Sequence, residues 1–462
     1  MFHQVRVWSI DGQAFRFLWY EPGSSQPPDV YQMDVHFFGA ASSPSVCSNA
    51  LQQAVKDYGD DHLLKQITKH FYVDNWLASF STAAEALSTA HRLTETLKAG
   101  GFPLTQWAMS NNAVRQSLPG QRLEGAVVNM DLDAKPIERT LGLVWIFSRD
   151  AFILGASVLT DGRTKRDIMK AISSIFDPLG FLSPILFQAK FLIQDIWRPK
   201  FDWDFELDQN LIDRWIHWAN SLPLLNGLVL DRCISPTGKD ASTIELHVFG
   251  DASEMGFGAV CYARFVHPNG TADISILLSK SRLAPLKFMT IPRLELNAVV
   301  LAARLAVQAK EEHDIIFRKT IYWSDSSTVL SWIKSRSCRI NVYVGNRIGE
   351  ILESSSSTEW NYVPSFINPA DDASRGLTAA EFDIRHRWFS GPKFLKVLTN
   401  WPCLPSLPPL EADDPEVREA TWVGQVQLPD NEIDQLIARK SRVHIVIRIV
   451  AYMLRFIANA RT

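Results

Sequence analysis

The order of strand and helix signals in residues 243–375 restricts the fold of this chain more than any other feature of its sequence. Three apolar, β-branched stretches follow one another with only short turns between them. A long amphipathic segment comes next, with Pro292 in its first turn, and two further strand–helix pairs follow. The predicted order is β-β-β-α-β-α-β-α, which indicates an α/β domain built on one sheet with flanking helices.

Four acidic residues stand where these predicted elements reach the same edge of the sheet. Asp251 ends the first strand, and Asp325 ends the fourth. Glu295 lies in the first turn of the long helix, and Asp371 opens the last helix. The sequence therefore predicts that four carboxylates converge.

A cluster of four carboxylates is unstable without compensation, because like charges a few ångströms apart raise one another's pKa. Divalent cations relieve this repulsion, and Mg²⁺ prefers oxygen ligands completed by water and substrate phosphate. Two such ions about 4 Å apart can activate a water and stabilise the leaving oxygen of a phosphodiester displacement. Taken singly, each acid has a structural alternative, because a carboxylate at a helix start caps backbone N–H groups. Taken together, the four acids favour a metal-dependent site.

Composition excludes several functional classes. The 462 residues carry a net charge of −3, so a polyanion must be held by local patches or metal ions rather than by overall charge. Five cysteines without C-x-x-C spacing argue against a disulfide scaffold or a structural zinc site. The N-terminus lacks the apolar core of a signal peptide, and Arg448 and Arg455 interrupt the most apolar late stretch. We expect an intracellular protein, cytoplasmic or nuclear and not secreted, without a membrane partner.

The rest of the chain divides into regions with different patterns. The first region switches between period-two and 3.6-residue periodicity, which is typical of an α+β domain, and includes an amphipathic stretch over 82–99. Residues 164–198 predict a helical hairpin with basic flanks, and the polar stretch 235–243 marks a boundary. The chain ends in a Trp/Pro-rich region and a basic helix over 436–458. The predicted regions are 1–160, 161–237, 238–385 and 386–462.

Four motifs of the second half resemble one known family. The strings HVFGDAS, SKSRLAPLKFMTIPRLEL, WSDSSTVLSWI and NPADDASRG occur in order within residues 240–378. They resemble the ribonuclease H domain of Bel/Pao-type LTR retrotransposon polyproteins. The resemblance implies a ribonuclease H-like mixed sheet with flanking helices.

The same resemblance implies a function for the four acids. Asp251, Glu295, Asp325 and Asp371 match the family's metal-binding carboxylates, and Asp372 is the neighbouring alternative for the last role. The implied reaction is hydrolysis of the RNA strand of an RNA–DNA hybrid with two Mg²⁺ or Mn²⁺ ions, leaving a 3′-hydroxyl and a 5′-phosphate. Recognition would depend on hybrid shape and 2′-hydroxyl contacts rather than on base sequence.

The first half resembles the reverse transcriptase of the same elements. MFHQVRV, VHFFGAASSP, FYVDNW and LGLVW look like palm and primer-gripping motifs, and TKRDIMKAISSIFDPLGFLSP resembles the family's thumb or connecting segment. WFSGPKFL and the terminal helix resemble what precedes an integrase in the polyprotein. The expected chain is thus a polyprotein fragment with a partial reverse-transcriptase palm, cut before an integrase domain that would carry out DNA integration.

Departures from the family pattern bear on polymerase activity. The chain begins at Met1, inside the first palm motif, so that motif's metal-binding Asp is not in the sequence. Asn75 replaces the second acid of the metal turn, and Gln106 stands where relatives carry Lys. Only Asp74 remains as a palm metal ligand, and one carboxylate does not hold two Mg²⁺ ions. We expect no polymerase activity from this chain alone; RNA-directed DNA polymerase activity is the alternative if the palm is completed upstream.

Basic residues around the long helix are candidate nucleic-acid contacts. Lys280, Arg282, Lys287 and Arg293 surround its start, where the phosphates of a hybrid would pass. A solvated surface is the alternative interpretation of these charges. A non-catalytic remnant or domesticated protein that only binds nucleic acid or another polyprotein product is the rival function. An aspartic peptidase is not supported, because the chain has no D-T/S-G turn.

Overall fold

We analysed a computed structural model of the chain. It describes all residues except 21–22, 24–26, 73–74, 119–120, 123–126, 130–142, 147–148, 157, 159–161, 176, 200–201, 236–240, 336–339, 398–400, 404–405, 408–413, 418–442 and 461–462. The described chain forms two compact units. The first comprises Met1–Arg336 and Val342–Leu410, and the second comprises Ser337–Asn341 and Glu411–Thr462.

Short strands and amphipathic helices alternate along the chain. The strands are β1 (Arg16–Trp19), β2 (Asp29–Gln32), β3 (Phe71–Tyr72), β4 (Asn75–Trp76), β5 (Gln106–Trp107), β6 (Gln121–Arg122), β7 (Val127–Asn129), β8 (Leu143–Ile146), β9 (Ala151–Leu154), β10 (Leu228–Asp231), β11 (Thr243–Ala252), β12 (Gly256–Val266), β13 (Ala272–Leu283), β14 (Lys319–Ser324) and β15 (Trp360–Tyr362). The helices are α1 (Ser43–Tyr58), α2 (Asp61–His70), α3 (Ala83–Ala99), α4 (Asn112–Ser117), α5 (Lys165–Ser173), α6 (Ser183–Trp197), α7 (Gln209–Ser221), α8 (Ile291–Glu312), α9 (Ser327–Lys334), α10 (Val342–Ser354), α11 (Ala370–Arg375), α12 (Arg387–Ser390) and α13 (Val443–Ala460).

The N-terminal part packs its helices around a small core of their own. The amphipathic stretch predicted over 82–99 is helix α3, and the Thr82 hydroxyl caps it by accepting a hydrogen bond from the Glu85 backbone N–H at 3.2 Å. Asp60 caps α2 in the same way. The apolar faces of α1, α2 and α3 bury Leu51, Val55, Leu63, Ile67, Leu93 and Leu97. The expected mixture of helices and short strands is thus confirmed for this part of the chain.

The predicted helical hairpin over 164–198 is confirmed as α5 and α6, and it packs directly on the edge strand β13. The Ser279 backbone N–H donates to the Leu179 carbonyl at 2.9 Å, and the Gln194 amide donates to the Ala284 carbonyl at 2.6 Å. Buried side chains of the hairpin and of the sheet belong to one continuous hydrophobic cluster. The regions on either side of the predicted boundary near 237 therefore share a core.

The second half contains a five-stranded mixed sheet. Its strand order is β13-β12-β11-β14-β15, with antiparallel pairing among β11, β12 and β13 and parallel pairing of β14 with β11 and β15. Helix α8 packs on β11 and β12 and is followed by α9 and α11 in the predicted order. Helix α10 was not predicted, because Gly345 and Gly349 lower the helix propensity of that segment.

The segment after the predicted domain end at 385 packs on the same sheet. The Arg264 guanidinium is 2% exposed and forms an ion pair with Glu245 at 2.6 Å. It also donates to the carbonyls of Leu395 at 2.6 Å and Val397 at 3.1 Å. A buried charge requires such partners, so Arg264 holds this segment against β12.

In the second unit, an isolated β-bridge pairs Ile340 with Val417, and α13 forms the remaining described structure. Within the described residues, none of the helices has the length and apolar character that a bilayer crossing demands.

Close packing at Gly258 of β12 positions the last helix of the sheet domain. A Cβ at this position would lie 2.5 Å from the Ala373 Cβ of α11. We predict that Gly258→Ala lowers the free energy of unfolding by about 1–3 kcal/mol, because a methyl group inserted there overpacks the contact. Urea denaturation of the whole chain measures the change.

Gly345→Ala in α10 is the matched control for this substitution. No heavy atom lies within 4 Å of its added Cβ. The same methyl group should therefore stabilise the helix by about 0.5–1 kcal/mol. Equal effects at the two glycines would contradict the packing argument.

Candidate metal centre

Parallel pairing brings two of the predicted acids to one edge of the sheet. In the register of β11 and β14, Gly250 lies opposite Ser324. Asp251 follows Gly250 and Asp325 follows Ser324, so both acids lie at the carboxyl ends of the two parallel strands. Asp251 is 1% exposed, and Asp325 is partly buried.

Helix α8 supplies the third acid. Leu294 and Ala298 pack against Ala252 of β11, which seats the start of the helix on the sheet. Glu295 lies between them in sequence and is 8% exposed. One carboxylate oxygen from each of Asp251, Glu295 and Asp325 lies within 4.8 Å of the others. The structure thus brings together three of the four predicted acids in a single group.

Two side chains from the last loop and helix orient Asp251. The Ser374 hydroxyl donates to Asp251 Oδ2, and Asn368 Nδ2 donates to Asp251 Oδ1 at 3.4 Å and to the Gly250 carbonyl at 3.2 Å. Asn368 is itself fixed, because its Oδ1 accepts the Ala370 backbone N–H at 3.1 Å. The sequence pattern alone did not indicate these roles for Asn368 and Ser374, although both residues belong to the motif that contains Asp371.

Two carboxylate oxygens of the group have no hydrogen-bond donor. Glu295 Oε2 and Asp325 Oδ1 are buried and accept no hydrogen bond. Buried polar atoms are almost always paired, so an unpaired carboxylate oxygen indicates an absent partner. Hard divalent cations such as Mg²⁺ bind carboxylate oxygens, and these residues therefore fit such an ion.

The electrostatics of the group also favour a cation. Burial, followed by the charges of Asp325 and Asp251, raises the pKa of Glu295 to about 10. Burial and then the charge of Asp325 raise the pKa of Asp251 to about 8. Burial is also the main cause that raises the pKa of Asp325. Glu295 and Asp251 therefore retain protons at neutral pH unless a positive charge replaces them.

The adjacent acids Asp371 and Asp372 face different partners. Asp371 is partly buried, and its charge contributes to the raised pKa of both Asp251 and Asp325. Its own carboxylate pairs with Arg375 and lies 3.6 Å from the Arg387 guanidinium. Asp372 is buried and accepts two hydrogen bonds from Arg387, at 2.7 and 3.0 Å. Asp371 thus lies beside the three-acid group, whereas Asp372 anchors Arg387.

The predicted basic residues lie on β13, in the loop that follows it and in the first turn of α8. Lys280 and Arg282 are exposed on the edge strand β13, and Lys287 is exposed in the loop before α8. Arg293 is half-buried, and its guanidinium lies 4.8 Å from the centre of the Tyr343 ring.

The residual palm ligand Asp74 lies outside the described residues. The strands beside it, β3 and β4, form an antiparallel hairpin in which Tyr72 pairs with Asn75. Gln106 is exposed on β5.

The raised pKa of Glu295 predicts a pH dependence of stability. In chelator, the protonated carboxyl stabilises the folded state below about pH 4.5, and this contribution is lost as pH rises towards the folded pKa of about 10. Glu295→Gln should remove this dependence and raise the free energy of unfolding at pH 7 by up to about 3 kcal/mol. It should also abolish the stabilisation that added Mg²⁺ gives the wild type.

Glu311→Gln, an exposed position on the same helix, is the control and should leave both properties unchanged. Urea unfolding between pH 5 and pH 8, with chelator or with Mg²⁺, provides the measurement. If the free energy of unfolding depends on pH in Glu295→Gln as it does in the wild type, the Glu295 carboxyl is not buried against other negative charges.

Comparison with known sequences finds a family model that matches part of the chain. Residues 164–326 match the Pao retrotransposon-like RNaseH-like domain. This segment includes the α5–α6 hairpin and the acids Asp251, Glu295 and Asp325. No curated protein sequence matches the chain.

Several solved structures resemble the chain at low identity. RNase H1 from the halophilic archaeon Halobacterium salinarum is 15% identical, with a TM-score of 0.20, covering 28% of this chain and 91% of its own. The N-terminal RNase H domain of a Mycobacterium tuberculosis protein is 13% identical, with a TM-score of 0.21, covering 29% and 93%.

The foamy viral protease-reverse transcriptase, solved in complex with dsDNA, is 13% identical, with a TM-score of 0.40. The match covers 78% of this chain and 64% of the viral one. The mixed sheet and the family match agree with the fold expected from the motifs. Residues 164–326 thus resemble the Pao retrotransposon-like RNaseH-like domain, and the predicted retrotransposon resemblance is confirmed for this part of the chain.

Proposed function

We propose that the ribonuclease H-like region hydrolyses the RNA strand of RNA–DNA hybrids in a reaction that depends on Mg²⁺ or Mn²⁺. The observation that carries this proposal is the group of two buried acids and one partly buried acid, in which Glu295 and Asp325 each have a carboxylate oxygen without a hydrogen-bond donor. A structural role would satisfy those oxygens with backbone or side-chain donors, as Arg387 does for Asp372. The match to an RNaseH-like family supports the same chemistry.

The residues have distinct roles in this proposal. Asp251, Glu295 and Asp325 would hold one divalent ion, and Asp371 would complete the site of a second. When bound, the ions would activate a water and stabilise the leaving oxygen, so that the products carry a 3′-hydroxyl and a 5′-phosphate. Asn368 and Ser374 hold the Asp251 carboxylate in one orientation, as hydrogen-bonded neighbours of metal ligands commonly do.

Hybrid binding would use charge outside the acidic group. Lys280, Arg282 and Lys287 are exposed beside the start of α8, where they can contact backbone phosphates. Phosphate contacts position a duplex without reading its sequence, so recognition would depend on hybrid shape and 2′-hydroxyl groups.

We infer in addition that the N-terminal region does not polymerise nucleotides. Asn75 stands in the hairpin beside Asp74, and a neutral amide does not provide the second negative charge that two Mg²⁺ ions require. Gln106 likewise provides no positive charge near the phosphates.

Hybrid cleavage tests the nuclease proposal. Purified chain incubated with an end-labelled RNA–DNA hybrid and Mg²⁺ should release shorter RNA fragments, and chelator should stop the reaction. Asp325→Asn should slow cleavage by at least roughly 100-fold, because it removes a metal ligand rather than one of its supporting neighbours.

Glu311→Gln is the control and should cleave at the wild-type rate, with circular dichroism confirming that both variants are folded. No cleavage by the wild type, or equal cleavage by wild type and Asp325→Asn, would refute the nuclease proposal. Hybrid binding without cleavage would instead favour the non-catalytic alternative.

Primer extension tests the inference about the N-terminal region. With a primed RNA template, Mg²⁺ and all four deoxynucleotides, the chain should add no nucleotides, because the neutral Asn75 adds no negative charge beside Asp74. An active reverse transcriptase in a parallel reaction verifies the template. Extension by this chain alone would show that Asn75 suffices as a ligand.

A further inference from the structure

Arg387 connects the segment after residue 385 with the surroundings of the metal centre. Its Nε and Nη2 donate to the two carboxylate oxygens of Asp372, at 3.0 and 2.7 Å. Its Nη1 donates to the Phe366 carbonyl at 2.7 Å, and its Nη2 lies 3.6 Å from Asp371 Oδ2. One side chain therefore ties the loop before α11 to the first turn of that helix.

The loop and the helix that Arg387 ties together carry side chains of the metal centre. Asn368 from the loop and Ser374 from α11 both donate hydrogen bonds to Asp251. Asp371, the proposed ligand of a second ion, lies in the first turn of α11. A movement of the loop relative to α11 would therefore change both the direction of the Asp251 carboxylate and the position of Asp371.

Arg387 extends from a helix that two other elements hold in place. The next residue, Trp388, is fully buried, and its indole N–H donates to the Phe181 carbonyl between α5 and α6 at 2.8 Å. The Tyr262 hydroxyl of β12 donates to the Trp388 carbonyl at 2.7 Å. Helix α12 is thus bonded to both the helical hairpin and the sheet, so the base of the Arg387 side chain is fixed.

The contacts of Arg387 require the shape of a guanidinium group. A guanidinium presents five N–H donors in a rigid plane, whereas the ammonium group of a lysine is a compact point charge. The planar fork lets one side chain donate to both Asp372 oxygens and to a backbone carbonyl at the same time. The Asp372 side chain is 4% exposed, so the pair is shielded from water and its loss would leave a buried charge without a partner.

Arg264 shows what a structural ion pair looks like in the same part of the chain. It pairs with Glu245 and donates to the carbonyls of Leu395 and Val397, none of which belongs to the metal centre. The contacts of Arg387 differ, because they lie on either side of Asn368 and Asp371 in the sequence. Stabilisation of the fold alone does not require this placement.

We propose that Arg387 is a positioning residue of the metal centre, which holds the loop before α11 and the start of that helix in the arrangement that binds divalent ions. The inference rests on the proposed function and adds the segment after residue 385 to the same site. Arg387 acts through Asp372 and the Phe366 carbonyl, and contacts neither the ion nor the substrate. Loss of its guanidinium should therefore weaken ion binding in a protein that stays folded.

Calorimetric titration of the whole chain with MgCl₂ tests this role without any measurement of cleavage. Arg387→Lys keeps the positive charge beside Asp371 and Asp372 but loses the planar fork. The dissociation constant for Mg²⁺ should rise roughly 10- to 100-fold, the usual loss when a supporting neighbour of a metal ligand is changed. The double variant Asp372→Asn/Arg387→Gln leaves no buried charge without a partner and should show the same rise.

Three further variants separate positioning from charge and from stability. Arg385→Lys makes the same exchange at an exposed position two residues earlier and should keep the wild-type dissociation constant. Ile351→Val removes a buried methyl group from α10, so it should lower the melting temperature but leave Mg²⁺ binding unchanged. Asp325→Asn lacks a proposed ligand and should lose the heat signal of this site. Circular dichroism confirms that each variant is folded.

Wild-type Mg²⁺ binding in Arg387→Lys would overturn the assignment, and so would an equal loss of binding in Ile351→Val. The result is independent of the nuclease proposal, because ion binding is measured without substrate. If the wild-type chain cleaves no hybrid while Arg387→Lys still weakens Mg²⁺ binding, the nuclease proposal is wrong and Arg387 remains a positioning residue of a metal site.

Discussion

The close approach of three carboxyl groups is the constraint on which the rest of the sheet domain depends. Asp251, Glu295 and Asp325 present oxygens within 4.8 Å of one another, although burial and the charges of neighbouring acids raise the pKa of each. Such a group persists only if the surrounding structure fixes it, because separation of the acids would relieve the repulsion. The parallel pairing of β11 with β14 holds Asp251 and Asp325 in place, and the packing of α8 on Ala252 holds Glu295. Hydrogen bonds from Asn368 and Ser374 then restrict Asp251 to one orientation.

The elements around the sheet form a support that extends beyond the sheet itself. The α5–α6 hairpin bonds to the edge strand β13, and the segment after residue 385 is held by Arg264. Burial raises the pKa of Glu245, but the hydrogen bonds from His247 and Arg264 outweigh it and lower that pKa to about 2. Glu245 therefore stays ionised at neutral pH and keeps the Arg264 charge paired. The family match begins at residue 164, in agreement with a hairpin that shares the core of the sheet.

The overall charge of this chain does not describe the local charge at its surface. The net charge of −3 counts Asp251, Glu295 and Asp325, which lie together in one largely buried group. The charge that an arginine presents at the surface depends on whether a neighbouring carboxylate neutralises it. Arg304 and Arg347 show the difference, because both connect α8 with α10 but only Arg304 has an acidic partner in the described structure. Composition counts these two arginines equally, whereas their contacts distinguish them.

The sequence by itself determined the order of the elements and the positions of the acids at strand ends and helix starts. Periodicity, turn residues and capping are local signals, and they specify which edge of a sheet a residue reaches. Only the tertiary structure shows that Asp371 and Asp372 have different surroundings, because Arg387, fifteen residues after Asp372, donates two hydrogen bonds to it. It also revealed the hydrogen bonds of Asn368 and Ser374 to Asp251, across 117 and 123 positions of the chain. The hydrogen bond from Arg347 to Asn297 joins α8 to α10, a helix that the sequence pattern did not predict. These contacts depend on packing between distant segments, which no local pattern encodes.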